Sequence, residues 1–529
     1  MKTRWVIVAG VLCLAGGAMA RPDPKGIAWW SHVQVLASKV YQGRLTGSPG
    51  YLKAADYVSD QFARAGLRPA GKDGGWLQPV DFISQVVDGH ASRVSVTADG
   101  QTRPLAIGDD IVLGSRVPQP RTITAPLAFI GYGLSLPEAH YDDFAGQDLK
   151  GKIAVAISGG PDFVSGPLQA HSRAYVTWKA VQKAGAVGLI TIPNPHTMDI
   201  PWARLKLLGQ QSGMYIADPA FQDADGPHFT ATLNPDRAAA LFAGSGHDFS
   251  EILALSDAHQ PIAGFPLRAS LTAAVVSTLT PVSSPNIVGL LSGSDPSLRS
   301  QYVVVSAHLD HLGVGAPING DPVYHGAMDN AAGVASMIEV AKAMAAAPAQ
   351  PRRSILFVAV TGEEKGLLGS RYFAERPTVD KQAIVADINM DEFLPLYPLR
   401  HLTVLGENES TLGADTRAVA ASLGYDIVPD GEPDRNLFVR SDQYSFIRTG
   451  VPSVALMFGH PAGTPEDAIV KAWNQRRYHS PQDNLTQPVD KEAASEFNAY
   501  LDALILRVAD APARPRWLET SFFKRFAAN

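Results

Sequence analysis

Residues 302–311 read YVVVSAHLDH and join a run of branched apolar residues to three side chains of metal-binding type. The first part, residues 302–306, has the length and composition of a buried β-strand. The second part places His308, Asp310 and His311 directly after that strand. A His-x-Asp pair alone is weak evidence for a metal site. The stretch therefore predicts a buried strand whose end is a candidate site.

Three further runs rich in branched residues indicate strands of the same kind, at 354–360, 383–388 and 454–458. Apolar residues at helical spacing mark helices over 334–344 and 497–508. This alternation of strands and helices predicts an α/β fold with a mostly parallel mixed sheet sandwiched by helices. In such sheets, sites form outside the carboxyl ends of the strands.

Five strand ends or loops in this region each supply a His or a carboxylate. Taken singly, the carboxylates have ordinary explanations: Asp329 would cap a helix starting near Ala331, and Glu363 and Glu364 would be solvated surface charge. Two His and three carboxylates are nonetheless the mixture that suits a pair of zinc ions, with one carboxylate spanning ions about 3.5–4 Å apart. The five residues are His308, Asp329, Glu364, Asp391 and His479.

The motifs around these residues resemble those of the co-catalytic zinc exopeptidases of clan MH. This family includes secreted bacterial leucyl aminopeptidases and the glutamate carboxypeptidase II type. The resemblance covers most of residues 280–510 and implies the zinc exopeptidase fold. Its motifs are SAHLD at 306–310, GAMDNAAG at 326–333, GEEKGLLGS at 362–370, NMD at 389–391 and YHSPQD at 478–483.

The resemblance implies two zinc ions per chain. His308 and Asp391 would hold one ion. Glu364 and His479 would hold the other, and Asp329 would bridge the two. Manganese or cobalt can occupy similar ligands, so the physiological metal stays open.

Four more residues with ionisable side chains lie near the predicted ligands in the sequence. By resemblance, Glu363 would be the general base for a metal-activated water, and Asp310 would support catalysis by fixing the ring of His308. His311 and His325 lie close to the ligand motifs, and we expect neither to be a ligand.

The resemblance implies a peptidase acting on peptide or protein substrates, and an aminopeptidase is the preferred reading. A carboxypeptidase or dipeptidase of the same fold remains open, as do, less favoured, a glutaminyl-cyclase-like acyltransferase and a non-catalytic binding protein. A non-enzymatic relative, such as the transferrin receptor, would be expected to have lost ligands, and this chain has lost none. Candidate substrate-binding residues are Tyr444, Met457, Phe458 and Tyr478, although ordinary core packing would also explain them.

Five segments are expected along the chain. Residues 1–20 are a signal, 118–275 an inserted α+β domain, and 516–529 a C-terminal tail. The zinc peptidase domain is expected in two parts, 21–117 and 276–515. The insertion resembles a protease-associated (PA) domain through the motifs YDDF at 141–144, LKGKIAV at 149–155 and KAVQKAGA at 179–186.

The first residues have the order of a cleavable secretory signal, with Lys2 and Arg4 before an apolar run and small residues at its end. The run is too short to span a bilayer, and no other stretch of about eighteen apolar residues is present. A lipoprotein signal is disfavoured because Leu12, which is not small, precedes Cys13. We therefore expect an exported bacterial protein, periplasmic or secreted, without a membrane span.

The composition argues against several other functions. The chain has a formal net charge of -6 and no long run of Lys and Arg, so the sequence does not indicate a positively charged surface for nucleic acid or anionic lipid. Cys13 is the only cysteine, so no disulfide framework and no cysteine-bound metal are expected. The Gly-x-Ser-x-Gly and His-Glu-x-x-His motifs are absent, which argues against the hydrolases that use them.

Overall fold

The protein is described by a computed structural model over residues 23–198 and 200–528, so the predicted signal at 1–20 lies outside the described residues. The strands, in chain order, are β1 (Arg68–Pro69), β2 (Leu77–Val87), β3 (Arg93–Ala98), β4 (Gln101–Leu105), β5 (Ile111–Leu113), β6 (Thr122–Phe129), β7 (Ser135–Leu136), β8 (Tyr141–Asp142), β9 (Ile153–Ile157), β10 (Gly188–Ile192), β11 (Gly213–Ile216), β12 (Phe229–Leu233), β13 (Phe265–Ala274), β14 (Ser277–Leu291), β15 (Tyr302–His308), β16 (Gly313–Ile318), β17 (Asp321–Tyr324), β18 (Ser354–Val360), β19 (Ile384–Met390), β20 (His401–Leu405), β21 (Asp426–Ile427) and β22 (Ser453–Phe458). The helices are α1 (Pro24–Leu36), α2 (Pro49–Ala65), α3 (Gly166–His171), α4 (Thr177–Lys183), α5 (Trp202–Leu208), α6 (Pro235–Phe242), α7 (Phe249–Asp257), α8 (Ala332–Ala346), α9 (Leu368–Glu375), α10 (Leu412–Leu423), α11 (Gln443–Ile447), α12 (Pro465–Arg476) and α13 (Lys491–Asp510).

Within the described residues, ten strands form a larger sheet in the order β11-β2-β14-β18-β15-β19-β22-β20-β21, with β1 added beside β14. Pairing is parallel from β18 through β15 and β19 to β22, and between β20 and β21. The pairs from β11 to β18 are antiparallel, as is the pair of β20 with β22. The predicted α/β fold with a mixed sheet is confirmed. Its parallel part is narrower than expected because the long strands β2 and β14 pair directly, without the crossover helix that parallel neighbours need.

The central strands are buried on both faces because their alternate residues point to opposite helical layers. On β15, Val303 and Val305 belong to a core shared with α1, α2, α8 and α13, whereas Val304 packs in a second core with α9 and α11. All seven residues of β18 are likewise buried. The carboxyl ends of these strands are thereby held in a rigid frame.

An eight-stranded sheet in the order β4-β3-β13-β6-β9-β10-β12-β5 has a core of its own. Its strands lie between residues 93 and 274, whereas the insertion was predicted over 118–275. Strands β3 to β5 precede residue 118, and they join this sheet because β3 pairs with β13 and β5 pairs with β12. Conversely, β11 lies inside the predicted insertion and pairs with β2 of the larger sheet. The boundary at 118 thus lies within the second sheet.

The C-terminal residues pack onto the larger domain. Phe523 is fully buried in a cluster with Leu405 and Tyr444, and the Trp517 Nε1 donates a hydrogen bond of 2.9 Å to the carbonyl of Gly450. Across 23–198 and 200–528, we find no helix with the length and apolar character needed to cross a membrane.

Candidate metal centre

The five predicted ligand residues meet at one edge of the larger sheet. His308 is the last residue of β15, Asp391 directly follows β19, and Glu364 lies in the loop after β18. These three strands are parallel neighbours, so their carboxyl ends lie side by side. Asp329 comes from the turn before α8, and His479 from the loop after α12.

The ligand atoms fall into two groups that share Asp329. In the first group, His308 Nε2 lies 3.3 Å from Asp329 Oδ1 and 3.1 Å from Asp391 Oδ1. In the second group, His479 Nε2 lies 3.3 Å from Asp329 Oδ2 and 3.3 Å from Glu364 Oε2. Each oxygen of Asp329 therefore faces a different group, as a bridging carboxylate requires.

Helix capping does not explain Asp329, and solvated surface charge does not explain Glu364. Helix α8 begins after Ala331 and has no side-chain cap, and it is Asn330 Oδ1 that accepts a hydrogen bond from the backbone N–H of Gly333, at 3.0 Å. Asp329 is left with backbone angles that are not helical and with its carboxylate turned to the ligand groups. Glu364 is buried rather than solvated.

The donor set fits divalent metal ions. Asp329 Oδ2 and Glu364 Oε1 are buried, and neither accepts a hydrogen bond from a residue in the described parts of the chain. Buried carboxylate oxygens without a donor are costly unless a cation neutralises them. Two sets of side chains have donor atoms close enough to hold an ion, and they consist of His308, Asp329 and Asp391, and of His311, Asp329 and Glu364. His311, which the sequence did not suggest as a ligand, is thus placed beside the second group.

A hydrogen bond to the backbone fixes the orientation of the His308 ring. Its Nδ1 lies 3.0 Å from the backbone carbonyl of Asp310 and donates a hydrogen bond to it, which leaves Nε2 facing the carboxylates of Asp329 and Asp391. The Asp310 carboxylate is 4.0 Å from the ring and instead joins neighbouring loops. It accepts hydrogen bonds from Thr46 Oγ1 at 2.9 Å and from the backbone N–H of Glu363 at 3.1 Å.

Asp391 is oriented by a residue that sequence reasoning missed. Ser441 Oγ donates a hydrogen bond of 2.6 Å to Asp391 Oδ2. Ser441 in turn accepts a hydrogen bond from Asn389 Nδ2, at 3.1 Å. A serine 50 residues downstream of its partner carries no motif, so only the fold reveals this contact.

Arg44 is a second residue that the sequence did not indicate. Its fully buried guanidinium donates hydrogen bonds of 2.7–2.9 Å to the carbonyls of Leu36, Leu309, His325 and Gly326. Burial lowers the pKa of Arg44 to about 10, opposed by nearby carboxylates that include Asp329. Arg44 therefore stays charged at neutral pH, ties together the segments that carry the ligands, and offsets part of their negative charge.

Asp483, from the YHSPQD motif, holds the turn that carries the shared ligand. Its carboxylate accepts hydrogen bonds of 3.0 Å from the backbone N–H groups of Met328 and Asp329. Burial raises the pKa of Asp483, and these hydrogen bonds oppose that rise.

The charges of the site perturb one another strongly. Burial raises the pKa of Glu363 well above its ordinary value, and the carboxylates of Asp391 and Glu364 add to the rise. Although burial opposes it, the imidazoles of His311, His308 and His479 hold the pKa of Asp329 well below its usual range. Glu363 is thus the more basic carboxylate, and Asp329 is the one that stays ionised.

A cavity of about 550 Å³ opens onto the ligand groups, and segments connected to both sheets line its wall. Of the predicted substrate-binding residues, Met457 and Tyr478 line it. Tyr444 is instead fully buried with its hydroxyl 2.5 Å from His171 Nδ1, and Phe458 packs in the core against Phe393. Neither of these two residues forms part of the cavity wall.

Two further wall residues matter for chemistry. Glu392 follows Asp391, lines the cavity, and has a left-handed backbone with φ 50°. Its carboxylate has no ion-pair or hydrogen-bond partner among the residues that the structure describes. From the insertion side, Arg116 Nη2 donates a hydrogen bond of 2.9 Å to the backbone carbonyl of Glu364. Neither residue belongs to a motif quoted from the sequence.

Comparison with known proteins agrees with this geometry. Residues 286–505 match the family described as peptidase family M28. The chain is 22% identical to aminopeptidase YwaD of Bacillus subtilis over 424 residues, which cover 78% of this chain and 74% of that protein. It is 27% identical to leupeptin-inactivating enzyme 1 of Streptomyces exfoliatus over 238 residues, covering 44% of this chain and only half of that relative.

Solved structures share the fold over almost the whole length. The aminopeptidase from Aneurinibacillus sp. strain AM-1 aligns with a TM-score of 0.55 at 18% identity, covering 92% of this chain and 95% of that one. The zinc aminopeptidase BSAP from Bacillus subtilis aligns with a TM-score of 0.50 at 18% identity, covering 94% and 98%. The motifs, the paired ligand groups and the match over 286–505 together show that this region is a peptidase family M28 domain and that the protein is a zinc metallopeptidase.

Proposed function

We propose that the chain is an exported aminopeptidase that removes N-terminal residues from peptides with the help of two zinc ions. The observation that carries the proposal is the sharing of Asp329 between two groups of donors on the floor of a cavity. In this proposal His308, Asp329 and Asp391 hold one ion, and Asp329, Glu364 and His479 hold the other.

Ions bound there would act as Lewis acids, lowering the pKa of a water molecule and polarising the scissile carbonyl. Glu363 takes the proton of the attacking water and passes it to the nitrogen of the leaving amine. Burial raises its pKa, and a more basic carboxylate is better suited to accept a proton from water. Asp310 holds the backbone of Glu363 in place, and Ser441 orients Asp391.

The cavity wall supports recognition of the amino end. Glu392 presents an unpaired carboxylate beside Asp391, and a protonated α-amine is the substrate group that would pair with it. Apolar residues elsewhere on the wall, including Leu405, Val439 and Met457, fit the side chain of the first substrate residue. The name of YwaD, an aminopeptidase related over most of both chains, agrees with this end preference.

One rival has an observation in its favour. Arg440 also lines the cavity, and a guanidinium is the group that binds a C-terminal carboxylate in bidentate fashion. A carboxypeptidase or dipeptidase of the same fold would use it in that way. The unpaired Glu392 next to the ligand Asp391 favours the amine, because it would repel a carboxylate.

We further propose that the second sheet is a PA domain that serves the active site. Its sequence motifs support the assignment, as do its separate core and its position at the cavity. Helix α5 follows strand β10 of this sheet and carries Arg204. The guanidinium of Arg204 donates hydrogen bonds to the backbone carbonyls of Tyr478, at 2.8 Å, and Gln475, at 2.5 Å. Export is proposed from the order of residues 1–20 alone.

A panel of peptides tests the end preference. The panel contains one sequence with free ends, one with a blocked amine and one with a blocked carboxyl, each assayed with and without a chelator. We expect cleavage of the free and carboxyl-blocked peptides, none of the amine-blocked peptide, and none after chelation. Cleavage that depends on the free carboxyl would assign the carboxypeptidase activity instead.

A further inference from the structure

The lysine and arginine residues in the cavity wall differ in their partners. Among the described residues they are Arg116, Lys365, Arg371 and Arg440. Arg371 is neutralised by Asp223, whose Oδ2 lies 3.0 Å from its Nη1. Lys365 and Arg116, by contrast, form no ion pair with any described residue. The wall therefore contains two cations without a partner of opposite charge.

Lys365 is the more unusual of these two cations because it is buried. Only 4% of the residue is exposed. Its ammonium makes no hydrogen bond with a described residue, yet it is not sealed from solvent. Because Lys365 lines the cavity, the ammonium meets solvent there. A buried charge is costly unless a group of opposite charge compensates it, so this ammonium is suited to bind an anion from the cavity.

The carboxylates closest in charge effect to Lys365 are engaged elsewhere. They are those of Glu364 and Asp310. The Glu364 carboxylate faces the second group of ligand atoms. The Asp310 carboxylate accepts hydrogen bonds from Thr46 Oγ1, at 2.9 Å, and from the backbone N–H of Glu363, at 3.1 Å. Neither carboxylate forms an ion pair with Lys365.

Arg116 brings a second cation to the same part of the wall. Its Nη2 donates a hydrogen bond of 2.9 Å to the carbonyl of Glu364, the residue before Lys365. A Cβ added at Gly366, the residue after Lys365, would lie 3.3 Å from Arg116 Nη1. The guanidinium thus lies along the backbone on both sides of Lys365. A guanidinium has five N–H donors, so this carbonyl leaves others for a ligand.

The two cations lie across the ligand groups from Glu392. Asp391 and Glu392 follow β19, whereas Glu364 and Lys365 follow β18, and β15 lies between these strands. Neighbouring strands are about 4.8 Å apart, so the ends of β18 and β19 are about 10 Å apart. An extended peptide advances about 3.3–3.6 Å per residue, and about three residues cover this distance. A peptide whose amine pairs with Glu392 can therefore reach the cations with a group of its second or third residue.

We propose that Lys365 and Arg116 form a subsite for a substrate carboxylate on the C-terminal side of the scissile bond. This inference rests on the aminopeptidase function proposed above. The carboxylate comes from the C-terminus of a short peptide or from an acidic side chain of the second residue. The preferred substrates are then peptides with an amine at one end of the cavity and a carboxylate at the other.

Two pairs of peptides test this subsite on the full-length protein loaded with zinc. The first pair is leucyl-alanyl-alanine and its amide, which differ in the terminal carboxylate. The second pair is leucyl-glutamyl-alanine amide and leucyl-glutaminyl-alanine amide, which differ in a side-chain carboxylate. We expect kcat/KM to be about tenfold or more higher for the carboxylate member of at least one pair, mainly through KM. The pair that shows the preference identifies the source of the carboxylate.

Removal of either cation should abolish this preference. In Lys365→Met, which keeps an apolar chain of similar length, and in Arg116→Gln, the ratio of kcat/KM within the pair should fall towards one. The control Lys381→Met removes an exposed ammonium paired with Glu375 at 2.7 Å, and it should keep the wild-type ratio. Bound zinc, measured on each variant, separates loss of the subsite from loss of metal.

Arg116 is exposed, so Arg116→Gln covers the case in which Lys365→Met fails to fold. Wild-type protein that prefers the carboxylate in neither pair would overturn the subsite. A zinc-loaded Arg116→Gln or Lys365→Met that keeps the full preference would overturn it as well. Wild-type protein that binds zinc and cleaves none of the four peptides would instead overturn the aminopeptidase function itself.

Discussion

At the scale of single residues, Glu363 and Glu364 show how neighbouring carboxylates acquire different properties. Glu364 lies against His479 and His311, whose charges lower its pKa in spite of burial. Glu363 borders the cavity, where burial and the nearby carboxylates raise its pKa. The first is suited to stay ionised as a ligand and the second to exchange a proton.

Glu363→Ala should therefore separate metal binding from turnover. We expect two equivalents of metal to remain bound while kcat falls by about 10²–10⁴-fold, the contribution typical of a positioned base. Metal analysis and steady-state kinetics on a free-amine peptide check both statements. Glu375→Ala, on the surface and paired with Lys381, is the control and should match the wild type. Undiminished kcat in Glu363→Ala would remove Glu363 from the base role.

Glu392 allows a second test at this scale. In Glu392→Gln the wall loses the carboxylate that would pair with the α-amine, so KM for free-amine peptides should rise by about tenfold or more with a smaller change in kcat. The control is Asp223→Asn, which lines the same cavity but is already paired with Arg371 at 3.0 Å. An unchanged KM in Glu392→Gln, or a rise confined to substrates with a basic first side chain, would contradict a role in binding the α-amine.

At the scale of elements, the turn before α8 depends on Arg44. The guanidinium donates to the carbonyl of Gly326 in this turn and to that of Leu309, directly after His308. Each buried carbonyl left without a donor costs about 1–3 kcal/mol. Arg44 therefore links the turn to the end of β15.

Arg44→Met should destabilise the metal-free protein by more than about 3 kcal/mol, because four buried carbonyls lose their donor. Urea unfolding of the chelated protein measures this loss. Arg417→Met removes a half-exposed guanidinium paired with Glu407 and should cost less than about 1 kcal/mol. Equal costs for the two variants would contradict the role assigned to Arg44.

The elements also show what the sequence can predict. Strand β15 and the nearby strands were predictable because short branched runs are typical of buried strands, and the strand-end position of His308 and Asp391 followed from them. Ser441 and Arg44 were not predictable, since one contacts a residue 50 positions away and the other contacts only backbone carbonyls. The place of β3 in the second sheet depends on pairing with the distant β13, which no local pattern marks.

At the scale of the whole molecule, two cores are joined around one cavity. The long strands β2 and β14 pair with each other and lead into the second sheet, whose segments then return to the cavity wall. The stability of the second core is thus tied to the shape of the substrate site. Within this core, burial raises the pKa of Asp143 to about 7, opposed by a hydrogen bond of 2.9 Å from the backbone N–H of Leu134.

Asp143 gives the second core a pH dependence. Its folded pKa lies above the ordinary 3.8, so its contribution to stability is complete below pH 3.8 and is lost as pH rises through about 7. The side chain of Asp143→Asn stays neutral at every pH. The unfolding temperature of this variant should therefore rise relative to that of the wild type as the pH increases from 4 to 7. Thermal unfolding of chelated samples across that range measures the gain. A difference that does not vary with pH would contradict a raised pKa.

The pairing of metal ions at Asp329 is tested most directly by anomalous X-ray diffraction at the zinc edge from crystals grown with zinc. Two anomalous peaks about 3.5–4 Å apart are expected, one beside His308 and Asp391 and the other beside Glu364 and His479, with Asp329 between them. A single peak, or two peaks that do not share Asp329, would contradict the two-ion site.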